Sequence, residues 1–249
     1  MKKKDIINRY YWDCEDGFYY DINLDGSKFY KVMTPASYWA LVAEVASPDQ
    51  ARKMLSEITN DRTLGGKVPL ISLSKSDANY EKNGKYWRGA LWLQTAYAAL
   101  KGIENYGYHK EAHDAAHKIL NHMLKTYIEY EPHTIWECYS PEAPEPSVGT
   151  NGERVRLDFC GWSALGPISM YIEHFLGFHT VNAFERIVKW YKSDSFKKRI
   201  GIKNLRFADV VTDIIAEGNV CRVKSNKAYT LIINEKAFEI TEGEQCIDL

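Results

Sequence analysis

The chain of 249 residues has only five cysteines, and their spacing excludes several kinds of site. The five cysteines are an odd number, no two form a C-x-x-C pair, and no histidine lies at the spacing of a zinc finger. Free thiols in a reducing compartment are the simplest account of such a pattern. We therefore expect a cytoplasmic protein.

Net charge and long apolar runs are lacking as well. The 32 basic and 33 acidic residues leave a net charge of −1, which gives no basis for binding nucleic acid or an anionic membrane. No run of about eighteen apolar residues is available to span a membrane, and the lysine-rich start is not followed by the apolar stretch of a secretory signal. We expect a small or neutral partner, with no nucleic acid and no membrane.

Aromatic residues are abundant by contrast, with seventeen tyrosines and seven tryptophans. Aromatic rings suit the apolar faces of sugars, although they also build ordinary cores. The sequence contains neither a nucleophilic serine or cysteine motif nor a glycine-rich phosphate loop. We expect no cofactor.

Two segments carry weak metal-binding patterns that we interpret otherwise. Residues 21–26 match the opening of a calcium loop, but Val32 stands at the twelfth position, where such a loop needs a glutamate. A hairpin turn is predicted there. His109, His113 and His117 lack the His-Glu-x-x-His order of zinc enzymes, so a solvated helix face is predicted and no metal site is expected.

Apolar periodicity divides the chain into a helical and a β-rich region. Helices are predicted over residues 4–13, 35–46, from 47 to before 65, from 86 to 102 or 106, and over 109–127 and 159–176. Short β-type runs between residues 200 and 240 predict a small antiparallel sheet. We therefore expect a mainly α fold, with a helical domain at residues 1–180 and a β-rich segment at residues 181–249.

Turn and cap signals sharpen parts of this prediction. Asp25-Gly26 lies between two β-type runs and predicts a hairpin. Ser47, followed by Pro48, is expected to cap a helix. Residues 67–86 are expected to form a long loop, after which two helices predict an αα-hairpin.

Three segments combine aromatic rings with polar groups suited to a sugar. Glu137 lies between Trp136 and Tyr139 in a predicted loop. Residues 86–92, with the sequence YWRGALW, place a guanidinium between two indoles at a predicted helix start, where it offers a rigid fork of donors. Residues 159–165, with the sequence FCGWSAL, are predicted to open a further helix.

Taken together, these segments resemble the C-terminal half of the (α/α)6-barrel glycosidases related to glycoside hydrolase families 63 and 37, which include processing α-glucosidase, trehalase and mannosylglycerate hydrolase. The matching pieces are the Trp-Arg-Gly-x-x-Trp segment from Trp87, the Glu-x-Tyr loop at Glu137 and the Phe-x-Gly-Trp segment from Phe159. Residues 17–21 resemble an earlier element, and the resemblance covers about residues 5–180. It implies a partial (α/α)6 toroid of antiparallel helical hairpins.

The resemblance also implies an inverting hydrolase of an α-glucoside or α-mannoside, in which Glu137 is the general base. It further implies a carbohydrate subsite shaped by Trp87, Arg88, Gly89, Trp92, Tyr139, Asp158, Trp162, Tyr20 and Asp21. The structural alternatives are a loop carboxylate bonded to backbone amides for Glu137 and an ion pair for Arg88, because ion-pair networks also occupy clefts.

The chain departs from the family pattern at the general acid. An inverting glycosidase needs a second carboxyl group about 6.5–9.5 Å from the base, and the family's Gly-Trp-Asp acid motif does not occur in this sequence. The available stand-ins are Asp16, Asp21, Glu142 and Asp158. Three explanations are open: a homologue that lost the acid, an incomplete reading frame, or half of a barrel completed by a second copy or a partner chain. The alternative function is a catalytically inactive carbohydrate-binding or structural remnant of the same fold.

Overall fold

The computed structural model describes residues 2–196 and 198–249. The chain divides into two compact units after Met170, and the second runs from Tyr171 to Leu249. Each unit has a hydrophobic core of its own. The domain boundary that the sequence predicts at residue 180 stays a prediction. Met1, the first residue of the predicted helical domain, lies outside the described residues.

The fold is mixed rather than mainly α. Helices account for 30% and strands for 23% of the chain, and the described residues form twelve strands in four sheets. The prediction of a mainly α fold with a partial (α/α)6 toroid is therefore wrong. Several helices are shorter than their apolar periodicity predicts, because turns and irregular backbone over residues 60–92 and 130–161 take up much of the sequence between them.

The first unit opens with one helix and two small hairpins. α1 (Lys3–Tyr10) is followed by β1 (Trp12–Asp13), which pairs antiparallel with β2 (Phe18–Tyr19). β3 (Asp21–Ile22) pairs with β4 (Phe29–Tyr30), so the predicted hairpin is confirmed. The first helix ends earlier than predicted because its last predicted residues join the β1–β2 pair.

Two short helical turns lead into a capped helix. A 3₁₀ turn at Pro35–Tyr38 continues as α2 (Trp39–Val42), so the helix predicted to reach residue 46 ends sooner. At the start of α3 (Pro48–Thr59), the backbone N–H of Gln50 donates to Ser47 Oγ at 3.2 Å, and the backbone N–H of Ser47 donates to Gln50 Oε1 at 2.7 Å. These reciprocal bonds satisfy donors that a helix start leaves open, and the predicted cap is confirmed.

α4 (Leu93–Glu104) and α5 (His109–Glu129) form the predicted αα-hairpin. The predicted start of α4 at Tyr86 is wrong, because Tyr86 and Gly89 have φ angles of +65° and +136°, which a right-handed helix does not contain. α5 agrees with its prediction. His113 on this helix is 2% exposed, so the predicted solvated histidine face is wrong at that position.

A 3₁₀ turn near the end of the first unit and the core of that unit complete the frame around the candidate site. The 3₁₀ turn at Trp162–Leu165 is followed by a π-helix at Gly166–Phe175, which continues past the division after Met170, where one helix over residues 159–176 was expected. Side chains from most elements of the unit meet in its core. Among those with almost no exposed surface are Phe18, Tyr38, Leu41, Met54, Leu64, Leu91 and Trp92.

The second unit is built from strands. They are β5 (Thr180–Asn182), β6 (Ile187–Trp190), β7 (Ile200–Phe207), β8 (Val210–Glu217), β9 (Val220–Ser225), β10 (Tyr229–Ile233), β11 (Lys236–Ile240) and β12 (Gly243–Asp248). One sheet has the order β11-β10-β6-β5 and the other β12-β9-β8-β7; β6 and β10 run parallel. The β-type runs predicted between residues 200 and 240 are confirmed, whereas β5, β6 and β12 and the second sheet were not predicted.

Neither disulfides nor membrane spans occur in the part of the chain that the structure describes. All five cysteines are free, with Cys138 and Cys221 buried. Among residues 2–196 and 198–249, no helix combines the length and the hydropathy needed to cross a membrane.

Candidate active site

Glu137 lies in irregular backbone, and hydrogen bonds hold both its N–H and its carbonyl. Its N–H donates to the carbonyl of Arg156 at 2.9 Å. Its own carbonyl accepts from Trp162 Nε1 at 3.2 Å and from Ser163 Oγ at 2.8 Å. The residue is 6% exposed, so its carboxylate is fixed in a largely water-excluded position.

The two carboxylate oxygens of Glu137 have different environments. Oε1 accepts a hydrogen bond from the Tyr86 hydroxyl at 3.2 Å, across 51 positions of sequence. Oε2 accepts no hydrogen bond from the described residues. One oxygen is therefore held by the protein while the other is left for a water molecule or a substrate hydroxyl, as a general base requires.

Three tryptophans lie together, and one of them, Trp162, donates to the Glu137 carbonyl. Trp87 and Trp92 stack with ring centroids 4.1 Å apart and an interplanar angle of 4°, and Trp162 lies 5.9 Å from Trp92. Trp92 is 1% exposed, whereas Trp87 is 47% and Trp162 38% exposed. The buried ring thus supports two open rings, which offer the kind of apolar face that a sugar ring covers.

Two residues that the sequence reasoning missed complete this group. Tyr86 bonds Glu137, and the Arg156 guanidinium lies 5.8 Å from the centre of the Phe159 ring, itself 4.6 Å from Trp162. Arg156 forms no ion pair with the described residues. Burial and the Glu137 carboxylate raise the pKa of Tyr86, while the positive charge of Arg156 opposes that shift. The direct adjacency of Tyr86 to Trp87 was the available sequence signal; Arg156 had none.

Arg88 and Gly89 lie in the same loop as Trp87 but make contacts of another kind. Arg88 Nε donates to the carbonyl of Asn79 at 2.9 Å, and its guanidinium is 3.5 Å from the Glu81 carboxylate. A Cβ on Gly89 would lie 2.7 Å from the ring of Tyr80, so glycine allows this ring to pack against the backbone. The contacts of both residues stabilise the loop that carries Trp87.

Tyr139 and Asp158 are close to Glu137 in sequence and differ in exposure. Tyr139 is 2% exposed, and its hydroxyl accepts from the backbone N–H of Trp136 at 3.2 Å. Asp158 is exposed and accepts from the Thr134 hydroxyl. Tyr139 belongs to the core of the first unit, and Asp158 to its surface.

Tyr20 and Asp21 line a cavity whose lining does not include Glu137. This cavity, of about 640 Å³, is bounded by α1 and by residues 32–40. Tyr20 also borders a polar cleft of about 560 Å³ that contains Asp16 and Lys31. The linings of both cavities include none of the three tryptophans, and the role of Tyr20 and Asp21 in a subsite stays a prediction.

Three of the four stand-ins for the general acid already have partners. Asp16 lies 3.2 Å from Lys31 Nζ, and Glu142 accepts from the Tyr80 hydroxyl at 2.8 Å. Asp158 is bonded to Thr134 as described above. Within the described ranges, no group of three or more His, Cys, Asp or Glu side chains has the geometry to hold a metal ion.

His122 on α5 supports the Glu137 loop and makes a pH-dependent contribution to stability. Its Nε2–H donates to the carbonyl of Ser140 at 2.8 Å, and burial lowers its pKa to about 4 from an ordinary value of 6.5. Because the folded pKa is the lower one, this stability is fully present above pH 6.5 and is lost as the pH falls towards 4. The loss should amount to about 3 kcal/mol, since one pKa unit corresponds to about 1.4 kcal/mol.

Urea unfolding at a series of pH values checks this expectation. In His122→Gln, whose amide can still donate to Ser140, the decline between pH 6.5 and 4 should be much smaller than in the wild type. His133→Gln is the matched control, because the His133 side chain is 47% exposed and this variant should keep the wild-type slope. Equal slopes in wild type and His122→Gln would contradict the assignment.

A largely buried carboxylate beside open indole rings is typical of proteins that act on carbohydrates. The sequence agrees, because residues 2–152 match the family model described as "Mannosylglycerate hydrolase MGH1-like glycoside hydrolase domain". The match covers more than half of the chain, and the chain belongs to this glycoside hydrolase family.

Individual proteins show the same relationship. A cytosolic neutral trehalase of Kluyveromyces lactis is 26% identical over 191 residues, covering 74% of this chain and 25% of the relative. A mannosylglycerate hydrolase of Rubrobacter radiotolerans is 31% identical over 114 residues, covering 45% of this chain and 26% of the relative. The predicted relation to families 63 and 37 is confirmed.

Comparison with a solved structure shows a shared fold over part of the chain. Neutral trehalase Nth1 of Saccharomyces cerevisiae aligns with a TM-score of 0.52 at 23% identity, covering 68% of this chain and 28% of the trehalase. The chain spans between a quarter and about half of the length of the curated relatives it matches first.

Proposed function

We propose that the protein hydrolyses an α-linked glucoside or mannoside with inversion at the anomeric carbon, and that Glu137 is the general base. The observation that carries this proposal is the Glu137 carboxylate, held at Oε1 by Tyr86 and without a bond from the described residues at Oε2. The exposed rings of Trp87 and Trp162 are the proposed sugar platform. The relatives named as a trehalase and a mannosylglycerate hydrolase support an α-glycoside substrate.

In the proposed reaction, Glu137 Oε2 takes a proton from water while the water oxygen bonds to the anomeric carbon. The glycosidic C–O bond breaks, and the departing oxygen takes a proton from a general acid on the other face of the sugar. We propose that this acid comes from a second copy or a partner chain, because within one copy Asp16, Glu142 and Asp158 are engaged by Lys31, Tyr80 and Thr134 respectively. The fourth stand-in, Asp21, lines a cavity whose lining does not include Glu137.

We also propose that the protein works in the cytoplasm and associates with a second copy or a partner chain that supplies the acid. Relatives named as cytosolic trehalases and five free cysteines support the compartment. The apolar side chains Leu124, Tyr127 and Ile128 on α5 are 55%, 48% and 61% exposed, which supports association. Analytical sedimentation tests this association. A monomer at every protein concentration, both alone and with cell extract, would contradict it.

Arg156 favours a glycoside whose leaving group carries a carboxylate. Its guanidinium lies beside the tryptophan group without an ion pair to any described residue, and a guanidinium binds a carboxylate through two parallel hydrogen bonds. Among the relatives' substrates, a mannosylglycerate has such a group and trehalose does not. We therefore propose an anionic α-glycoside in preference to a neutral one.

The second candidate function is that of a sugar-binding protein without turnover. It is favoured by the engaged state of three of the four stand-in carboxylates.

The proposed activity is tested by incubating the protein with trehalose, α-mannosylglycerate or an aryl α-glycoside. Proton NMR of the anomeric signal follows the product. From α-mannosylglycerate and the aryl α-glycosides, release of the β-anomer first is expected, fastest from the anionic substrate, and trehalose should give the α- and β-anomers in equal amounts. Release of the α-anomer first from α-mannosylglycerate or an aryl α-glycoside would overturn the inverting mechanism. Calorimetric binding without any product would support the second candidate.

A further inference from the structure

Tyr86 adopts a backbone conformation that its side chain disfavours. Its φ angle is +65°, in the left-handed region, which bulky residues rarely occupy, and the preceding Lys85 also has a positive φ, of 28°. Such conformations persist only where the surroundings impose them, and they concentrate at functional sites. The surrounding structure therefore holds Tyr86 in this conformation.

The fold fixes Tyr86 through its backbone and through its ring. Its N–H donates to the carbonyl of Val148 at 2.7 Å, and its carbonyl accepts from Trp92 Nε1 at 3.1 Å. Its ring meets that of Trp92 edge to face, with centroids 4.8 Å apart and an interplanar angle of 85°. The direction of the phenol is thereby set before any substrate binds.

The phenol hydroxyl ends 3.2 Å from Glu137 Oε1 and is the donor, because an ionised carboxylate only accepts. Burial, the charge of Glu137 with its hydrogen bond, and Cys138 raise the pKa of Tyr86, against the opposing charge of Arg156. The hydroxyl therefore keeps its proton and remains a donor at neutral pH.

We propose that Tyr86 is the positioning residue of Glu137: its strained backbone aims the phenol at Oε1, and this bond turns Oε2 towards the water that attacks the sugar. The inference rests on the proposed function in one respect, namely that Glu137 is the base. Tyr86 acts through the carboxylate and not on the sugar.

Tyr86→Phe tests this role, since it removes the hydroxyl and keeps the ring that packs on Trp92. We expect kcat to fall about 10- to 100-fold with KM unchanged, because a misplaced base costs rate rather than binding. Tyr80→Phe is the matched control, since the Tyr80 hydroxyl also donates to a glutamate, Glu142, at 2.8 Å. This control should keep the wild-type kcat. An unchanged kcat in Tyr86→Phe, with Glu137→Gln inactive, would overturn the inference and leave the proposed base intact.

A second measurement does not depend on turnover. In protein labelled with ¹³C at the tyrosine ring carbon that bears the hydroxyl, the Tyr86 signal is assigned by its absence from Tyr86→Phe. Its pKa should fall in Glu137→Gln, which removes the neighbouring charge, and should stay unchanged in Glu142→Gln. An identical Tyr86 pKa in wild type and Glu137→Gln would overturn the inference even if no substrate were turned over.

Discussion

Glu137→Gln is expected to lower kcat by about 10²- to 10⁴-fold, the range that general base catalysis contributes. The amide has the shape of the carboxylate, and its oxygen can still accept from Tyr86, but its nitrogen has no free lone pair to take a proton from water. Sugar binding should therefore survive. Initial rates on the best α-glycoside substrate and calorimetric titration with the product sugar measure the two effects separately.

Glu142→Gln is the matched control for this experiment. It makes the same chemical change five positions along the chain, at a carboxylate that accepts from Tyr80. It should leave both kcat and sugar affinity near the wild-type values. Wild-type turnover in Glu137→Gln would remove Glu137 from the role of base, and parallel loss in both variants would point to general damage.

Trp92→Ala is expected to lower the free energy of unfolding by about 3–5 kcal/mol, as truncation of a buried tryptophan does. Its ring is 1% exposed, stacks on Trp87 at 4.1 Å and donates from Nε1 to the carbonyl of Tyr86 at 3.1 Å. Removing it leaves a cavity and an unpaired carbonyl beneath the proposed sugar platform. Urea unfolding followed by circular dichroism gives the free energy.

Trp87→Ala is the comparison variant for Trp92→Ala. Trp87 and Trp92 form one stacked pair but differ in burial, so the two variants separate the effect of burial from that of stacking. Trp87 is 47% exposed, so its loss should cost about 1 kcal/mol or less while sharply weakening sugar binding. A loss of stability as large as that of Trp92→Ala would show that Trp87 belongs to the core. Unchanged sugar affinity in Trp87→Ala would remove it from the proposed platform.

Elements whose signals are local in sequence could be predicted. α3 begins at Ser47, whose capping bonds reach only to Gln50, and α5 follows a regular apolar stripe. The hairpin around Asp25-Gly26 depends on a turn that those two residues favour. In each case the physical cause lies within a few positions of chain.

The start of α4 could not be predicted in the same way. Apolar spacing continues smoothly from Trp87 to Leu100, yet the backbone at Tyr86 and Gly89 is left-handed. What holds it there lies outside the apolar stripe: Val148, far along the chain, bonds Tyr86, and Tyr80, in the loop before the stripe, packs against Gly89. Helical periodicity contains no information about such contacts.

The sequence by itself determined the glycoside hydrolase relationship and singled out Glu137, because both depend on short motifs whose residues are neighbours. The tertiary structure decided that the fold is mixed, since strands such as β6 and β10 pair across forty or more positions of chain. It also decided that Tyr86 is the partner of the Glu137 carboxylate while Arg88 contacts Asn79 and Glu81. The reason is physical: strand pairing and the direction of a side chain are set by groups that approach only when distant segments pack together.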